Sequence, residues 1–138
     1  PDIETVQSDD DEEGTPPANP RIIASIDKGQ QEMTVFVDGV EKYSWPVSTG
    51  IGGYSTPSGT FTASSMNKIW YSRQWDNAPM PHSVFFHGGY AVHATPHVKM
   101  LGRPASHGCI RLHPTNAEDF FKLVQTFGAG NTRIVITK

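Results

Sequence analysis

Residues 21–47, RIIASIDKGQQEMTVFVDGVEKYSWPV, decide the fold class of this chain. Three short β-rich segments follow one another in this stretch, at residues 22–27, 33–38 and 40–47. In the second segment, the apolar residues Met33, Val35 and Val37 occupy alternate positions, as in a strand with one buried face. The dipeptide Asp38-Gly39 between the last two segments is typical of tight hairpins. The stretch therefore predicts antiparallel strands in a β-rich domain.

The rest of the chain adds further strands and one helix. Strands are expected between Gly- and Pro-rich turns at residues 60–64, 83–87, 90–94 and 133–137. The helix is predicted to open at Thr115, with Glu118 completing a capping box, and to end at Gly128. Its apolar residues form one stripe that should pack on a sheet: Ala117, Phe120, Phe121, Val124 and Phe127. The predicted fold is mainly β with one helix, arranged as a β-sandwich or mixed barrel.

The first twenty residues have a different composition from the remainder. They hold seven acidic residues, no Lys or Arg, and a Pro-rich run. Such a segment buries little apolar surface, so residues 1–20 are interpreted as a disordered acidic linker before a domain at residues 21–138. A docking peptide that folds on a basic partner stays open as an alternative.

Charge and cysteine content exclude several classes of protein. Residues 21–138 carry eleven basic and seven acidic residues, a modest positive balance that favours an anionic partner such as a cell-wall polymer. They lack the clustered Lys/Arg stripe of a nucleic-acid binder. The lone Cys109 excludes an intramolecular disulfide. No apolar run approaches the ~18 residues that span a bilayer, and the start at Pro1 without a signal-like segment is typical of a mature or trimmed chain.

Residues 66–82 contain several large aromatic and sulfur side chains without a period of 2 or 3.6. The stretch predicts a long loop. Its aromatics, Trp70 and Trp75 among them, either fold over a site as a lid or pin the loop to the core.

The stretch Ser106-His107-Gly108-Cys109-Ile110-Arg111-Leu112 concentrates the residues that can do chemistry. A thiol titrates at about 8.5 when unperturbed, so a nucleophilic cysteine needs a base or cation beside it. Two histidines can serve as that base. His107 would lie on the same face as Cys109 if the segment were extended, whereas His93 must reach the thiol through the fold. Spacing alone does not choose between them.

Two neighbours of the cysteine have separate chemical rationales. Gly108, without a Cβ, lets a substrate carbonyl approach the backbone and adopts turns that expose consecutive N–H groups, which is what an oxyanion hole requires. Arg111 offers a permanent cation for the thiolate or for a substrate carboxylate, and a structural salt bridge or backbone clamp is the alternative.

A zinc hydrolase is disfavoured although the chain has six histidines. His93 and His97 have the spacing of a helical ligand pair, but Thr95-Pro96 disfavours a helix there and no Glu lies between the histidines. No metal and no cofactor are expected.

The segment from His93 onward resembles the signature of the L,D-transpeptidase (YkuD-type) catalytic domain. The matching residues occur in the family's order: His93, Thr95, Gly102, Ser106, His107, Gly108, Cys109 and Arg111. The likeness extends upstream through residues 46–50, Thr56-Pro57-Ser58-Gly59 and Met80-Pro81, and covers about residues 21–138.

The resemblance implies an acyl transfer on peptidoglycan. A cysteine attacks the third-residue carbonyl of a stem tetrapeptide, expels D-Ala, and passes the acyl group to an amine. The acceptor is a neighbouring stem, giving a 3-3 cross-link, or a protein such as an outer-membrane protein. Water as acceptor would make the enzyme a peptidase, and a wall-binding module with a decayed site is a further alternative. Carbapenem-type inhibitors and a periplasmic or cell-envelope location follow from the same resemblance.

Carried over by position, the resemblance assigns roles to individual residues. Cys109 is the nucleophile, and His93, oriented by the carbonyl of residue 94, is the base and acid. The N–H groups around His107, Gly108 and Cys109 hold the oxyanion. Substrate binding is assigned to Arg111, Tyr90 and Ser106. His87 is left out of the catalytic set, and His97 is interpreted as a surface residue, with the acceptor side of the pocket as the alternative.

Overall fold

The computed structural model describes residues 19–69, 71–72 and 78–138. Almost all of the predicted linker, together with Trp70 and Trp75, lies outside the described residues. No helix in the described part of the chain has the length and apolar character needed to cross a bilayer.

A five-stranded sheet forms one side of the fold, with the strand order β3-β2-β1-β11-β4. Its strands are β1 (Ile22–Asp27), β2 (Glu32–Val37), β3 (Val40–Pro46), β4 (Gly59–Thr62) and β11 (Thr132–Thr137). β1 pairs in parallel with β11, and the other pairs are antiparallel. The predicted hairpin is confirmed: Asp38 and Gly39 both adopt positive φ, 51° and 84°, as a two-residue hairpin turn requires.

A four-stranded sheet forms the second layer, with the order β10-β9-β8-β5. Its strands are β5 (Ser65–Asn67), β8 (Ser83–His87), β9 (Tyr90–Ala94) and β10 (Ile110–Leu112). β10 pairs in parallel with β9. A separate short antiparallel pair joins β6 (Tyr71–Ser72) to β7 (Ala78–Pro79).

The predicted long loop at residues 66–82 is therefore partly wrong. Met66 lies in β5 and pairs with Val84 of β8, and β6 and β7 pair within the same stretch. Strands of two or three residues are too short to show alternation. Their pairing partners, and not their own pattern, make them strands.

The helix α1 spans Pro114–Phe127, and its predicted capping box is wrong. His113 is the N-cap residue, and its ring Nδ1 accepts a hydrogen bond of 3.1 Å from the Thr115 N–H. The helix begins earlier than expected because a proline fits its first turn, where the missing N–H costs nothing. Glu118 pairs instead with Lys122 at 3.3 Å. The predicted end at Gly128 is confirmed, with φ 97° at that residue.

One apolar core joins both sheets and the helix. β1 contributes its alternate residues, Ile22, Ala24 and Ile26, each fully buried. α1 packs mainly against β8 and β9, and of its predicted stripe only Phe127 is half-buried, beneath the Arg21 guanidinium. The predicted class, mainly β with one helix, is confirmed. The helix and core hold β9 and β10 side by side, and these two strands carry the residues of interest.

Candidate active site

The parallel pairing of β9 with β10 brings the predicted nucleophile and base together. Arg111 lies opposite His93 in this register, so Cys109, just before β10, continues the register to Ala91. Residues 91 and 93 share one face of β9 because side chains alternate along a strand. Cys109 and His93 accordingly line the same cavity, of about 450 Å³.

His93 is held in one orientation by the main chain. The residue is 7% exposed, and its ring Nδ1 lies 2.7 Å from the carbonyl oxygen of Ala94. A carbonyl only accepts hydrogen bonds, so Nδ1 carries the proton and Nε2 keeps its lone pair. Burial lowers the pKa of His93 to about 4; the Ala94 hydrogen bond opposes this shift and the charge of Arg111 adds to it. The imidazole is therefore neutral near pH 7.

Cys109 is half-buried, and its Sγ lies 3.8 Å from the Gly89 carbonyl oxygen. Burial raises the pKa of the thiol, against the opposing effects of the Ala91 backbone and of Arg111. The resting pair is therefore a neutral thiol and a neutral imidazole, not a thiolate–imidazolium ion pair. Arg111 lowers the pKa of the thiol, as expected of a neighbouring cation, but burial raises this pKa by more.

Residues 105–109, here called the cysteine loop, bring the thiol to the cavity through internal hydrogen bonds. The Ser106 hydroxyl donates to the Cys109 carbonyl at 2.6 Å and accepts from the Gly108 N–H at 3.0 Å. The Gly108 N–H, which the resemblance assigns to the oxyanion, is thus engaged inside the loop. Among the described residues, none accepts a hydrogen bond from the Cys109 N–H. That group is left as the donor beside the sulfur.

Gly108 adopts a backbone conformation that suits glycine, as expected, and the structure adds a second reason for its missing side chain. Its φ is 125°, a conformation that L side chains rarely adopt. A Cβ at this position would lie 2.6 Å from Cε1 of Tyr90. The missing side chain makes room for the Tyr90 ring.

The segment from His107 to Cys109 is not extended, so the condition for the same-face geometry is not met. The chain turns at Gly108, and His107 is exposed at the mouth of the cavity. Its ring meets the Tyr54 ring edge-on, with centroids 4.8 Å apart. The buried, carbonyl-anchored His93 is the histidine whose geometry suits a base.

Arg111 lines the cavity with a half-buried side chain. Its main-chain N–H donates to the Ser48 carbonyl at 2.9 Å, and its own carbonyl accepts from the Ser48 N–H at 3.1 Å. Within the described residues, no carboxylate forms an ion pair with the guanidinium. Burial lowers the pKa of Arg111, and the neighbouring Cys109 opposes this shift. The side chain remains a cation facing the cavity.

Three further residues singled out in the sequence are Tyr90, His97 and Ser106. Tyr90 lines the cavity and stacks on His87, with centroids 6.0 Å apart and planes 12° from parallel. His97 is exposed and also lines the cavity, so the surface position and the pocket position both apply to it. The Ser106 hydroxyl, assigned to substrate binding, is instead engaged twice within the cysteine loop.

Sequence reasoning missed two buried polar residues that contact the loop or its support. Thr56 is fully buried and donates to the Gly108 carbonyl, and Gln31 is 4% exposed and bonds to Thr49. The motif Thr56-Pro57-Ser58-Gly59 contributes to the resemblance but does not indicate a buried hydroxyl. Gln31 carries no signal, since an isolated Gln in a turn is ordinarily exposed.

No group of three or more His, Cys, Asp or Glu suited to a metal ion occurs in the described residues.

Two packed sheets that place a thiol and an anchored neutral imidazole in one cavity define a class: β-rich domains with a cysteine–histidine site. The family model for the L,D-transpeptidase catalytic domain (YkuD) matches residues 19–136 of this chain. The chain belongs to that family, and the resemblance seen in the sequence is confirmed.

Solved structures agree with this assignment. An L,D-transpeptidase from Mycobacterium smegmatis is 28% identical with a TM-score of 0.76. The match covers 86% of this chain and 59% of the M. smegmatis chain. One from Mycobacterium tuberculosis H37Rv is 25% identical with a TM-score of 0.76, at 86% and 58% coverage. LD transpeptidase LdtMt1 in complex with imipenem is 26% identical with a TM-score of 0.75, at 86% and 59% coverage. The chain thus spans less than two thirds of these structures. No curated protein sequence matches it.

Proposed function

We propose that this domain is a peptidoglycan L,D-transpeptidase in which Cys109 is the nucleophile and His93 the general base and acid. Family membership supports the activity. The observation that carries the proposal is the position of His93: its Nδ1 is anchored on Ala94 while the ring lines the same cavity as the thiol. A base needs such an orienting partner to present one nitrogen to the nucleophile.

The first half-reaction forms a thioester. As Sγ attacks the third-residue carbonyl of a stem tetrapeptide, the thiol proton passes to Nε2 of His93, and the Cys109 N–H stabilises the developing oxyanion. The carbon–nitrogen bond then breaks, and the imidazolium returns the proton to the departing D-Ala amine. A His93 pKa of about 4 makes the imidazolium a strong acid for that second transfer. Because it also makes the imidazole a weak base, deprotonation of the thiol must accompany the attack.

The second half-reaction consumes the thioester. An acceptor amine loses a proton to His93 and attacks the carbonyl carbon; the carbon–sulfur bond breaks, and the imidazolium returns the proton to the sulfur, which regenerates the thiol. The acceptor is the side-chain amine of a neighbouring stem, giving a 3-3 cross-link, or an amine of a protein such as an outer-membrane protein. Since the substrate is the cell wall, we place the domain in the periplasm or cell envelope, with residues 21–138 as the catalytic unit.

We assign Arg111 to a substrate carboxylate. The resting thiol is protonated and so has little need of a permanent cation. No carboxylate among the described residues neutralises the guanidinium, and a half-buried cation without a counter-charge favours an anionic ligand. Tyr90 forms the adjacent wall of the cavity, where its ring can contact the stem peptide.

Incubation with purified muropeptides, followed by mass analysis of the products, tests the function. We expect cross-linked dimers with loss of D-Ala, formed by the wild-type chain and absent with Cys109→Ala. Tripeptides without dimers would identify a hydrolase. Unchanged tetrapeptides would leave only a binding module, and the proposal would be abandoned.

Carbapenems provide a second, chemically distinct test. LdtMt1 has been solved in complex with imipenem, which supports the proposal that a carbapenem acylates Cys109 here. The thiol would add to the β-lactam carbonyl, the ring carbon–nitrogen bond would open, and the nitrogen would take the proton. Intact mass spectrometry should show one adduct on the wild type and none on Cys109→Ala.

A further inference from the structure

We infer that Thr56, supported by Gln31, positions the Cys109 N–H as the oxyanion donor of the site. The inference rests on the proposed function for its biological meaning, but the geometry that carries it lies outside the cavity wall. Both residues are buried, and neither belongs to the residues that line the cavity. Each is therefore a positioning residue, which acts through the cysteine loop and touches no substrate.

Thr56 holds the peptide unit that contains the donor. Its hydroxyl accepts from the Gly50 N–H at 2.9 Å and donates to the Gly108 carbonyl at 2.7 Å. The Gly108 carbonyl and the Cys109 N–H belong to one planar trans peptide, in which the two groups point in opposite directions. A hydroxyl that holds the carbonyl on one side therefore directs the N–H to the other side. That N–H has no acceptor among the described residues.

Gln31 anchors the segment that supports the loop. Its carboxamide donates to the Thr49 hydroxyl at 2.7 Å and to the Lys28 carbonyl at 2.8 Å, and accepts from the Thr49 N–H at 2.9 Å. The Thr49 carbonyl in turn accepts from the N–H groups of Ala105 and Ser106, at 2.9 and 3.0 Å. A chain of hydrogen bonds thus runs from the β1–β2 turn to the start of the cysteine loop.

The backbone at Gln31 indicates that its side chain is required. The residue has φ 54°, a left-handed conformation that Gly or Asn adopts at lower cost. Neither of these reaches Thr49, because Gly has no side chain and Asn is one methylene shorter. The same turn also supports Thr56, since the Lys28 ammonium donates to the Thr56 carbonyl. Strain of this kind concentrates where the surrounding structure needs a particular side chain.

Two reagents separate positioning from general stability. p-Nitrophenyl acetate acylates a thiol through a tetrahedral oxyanion: the sulfur–carbon bond forms, the ester carbon–oxygen bond breaks, and p-nitrophenolate leaves. Iodoacetamide alkylates the same thiol by displacement of iodide, without an oxyanion. A misdirected Cys109 N–H should slow the first reaction and spare the second. Loss of folding would instead expose the thiol and accelerate alkylation.

The matched variants are Thr56→Val and Thr56→Ser. Valine keeps the shape and removes the hydroxyl, and we expect acylation to slow about 10- to 100-fold, below the loss seen when a donor is deleted outright. Alkylation should stay within about 2-fold, because it needs no oxyanion donor. Serine restores the hydroxyl and should recover most of the acylation rate.

Gln31→Asn, compared with Gln30→Asn, repeats the test from the other end of the chain of bonds. Gln30 is the exposed neighbour in the same turn, so its variant should match the wild type, while Gln31→Asn should slow acylation selectively. The Gln31→Asn and Gln30→Asn variants also test the inference if Thr56→Val does not fold. Equal slowing of both reactions, or unchanged acylation in the folded variants, would overturn the inference. A wild type that is acylated by the ester yet ignores muropeptides would refute the proposed function and leave this inference standing.

Discussion

The five-stranded sheet and the cysteine loop are held together by different forces. In β1 and β11, apolar side chains such as Ile26 and Ile134 are completely buried and belong to the common apolar core. In the cysteine loop, Ser106 from within and Thr56 from outside satisfy main-chain groups through specific hydrogen bonds. Apolar contacts tolerate small displacements, but a hydrogen bond loses its energy steeply with angle. Substitutions in the sheet should therefore change stability, and those in or behind the loop should change chemistry.

The largest expected effect separates the two regions completely. Cys109→Ala should abolish D-Ala release from tetrapeptide stems, because no other thiol exists in the chain. The melting temperature should change little, since the half-buried side chain contributes little to the core. Product analysis by mass and thermal denaturation measure the two quantities. Persistent turnover would refute the cysteine mechanism.

A core substitution should give the opposite result. Ile134→Ala removes a fully buried side chain from the sheet and should lower the free energy of unfolding by about 2–5 kcal/mol. The acylation rate per folded molecule should not change. Denaturant titration and the p-nitrophenyl acetate assay, run below the unfolding transition, check both statements. A large loss of rate in the folded variant would show that core and site are coupled.

His93 lies in β9, outside both regions, and should link stability to pH. Its pKa is about 4 in the folded chain and about 6.5 when unfolded. The unfolded state therefore binds more protons between these values, and stability is lost as pH falls from 6.5 to 4, by roughly 3 kcal/mol in total. Denaturant titrations at several pH values should show this slope in the wild type. His93→Gln should reduce it, and equal slopes in both proteins would contradict the assigned burial effect.

Arg111→Gln should affect substrate use more than the thiol itself. Loss of a charged hydrogen bond of about 1.5–3 kcal/mol should lower kcat/KM for tetrapeptide stems by about 10- to 100-fold. Alkylation by iodoacetamide should change much less. If Arg111 instead serves the thiol, both rates would fall together, and the carboxylate assignment would be withdrawn.

The smallest effect is expected at the start of the chain. Deletion of residues 1–20 should shift the melting temperature by less than about 2 °C, because a segment of this composition buries little apolar surface. Differential scanning calorimetry of the two chains measures the shift. A drop of many degrees would show that the segment is docked on the domain.

Local pattern explains which predictions are correct. The strands Ile22–Asp27, Ser83–His87 and Tyr90–Ala94 lie where they were expected, because each is long enough to show alternation or bounded by clear turns. The strand Ile110–Leu112 was missed: three residues carry no period, and only the parallel pairing with β9 makes them a strand. The predicted helix start at Thr115 was too late for a similar reason. The His113 ring, and not the Thr115–Glu118 pair, caps the first turn.

The sequence by itself determined the β-rich class, the hairpin at Asp38-Gly39 and the cluster of chemically capable residues around Cys109, because these depend on residue type and short spacing. Only the tertiary structure decided which histidine is buried in the wall of the cavity that the thiol lines, and that the Gly108 N–H donates to Ser106. It also brought Gln31 and Thr56 behind the cysteine loop. The physical reason is that hydrogen-bond direction and burial arise from contacts between segments distant in sequence, which residue order does not encode locally.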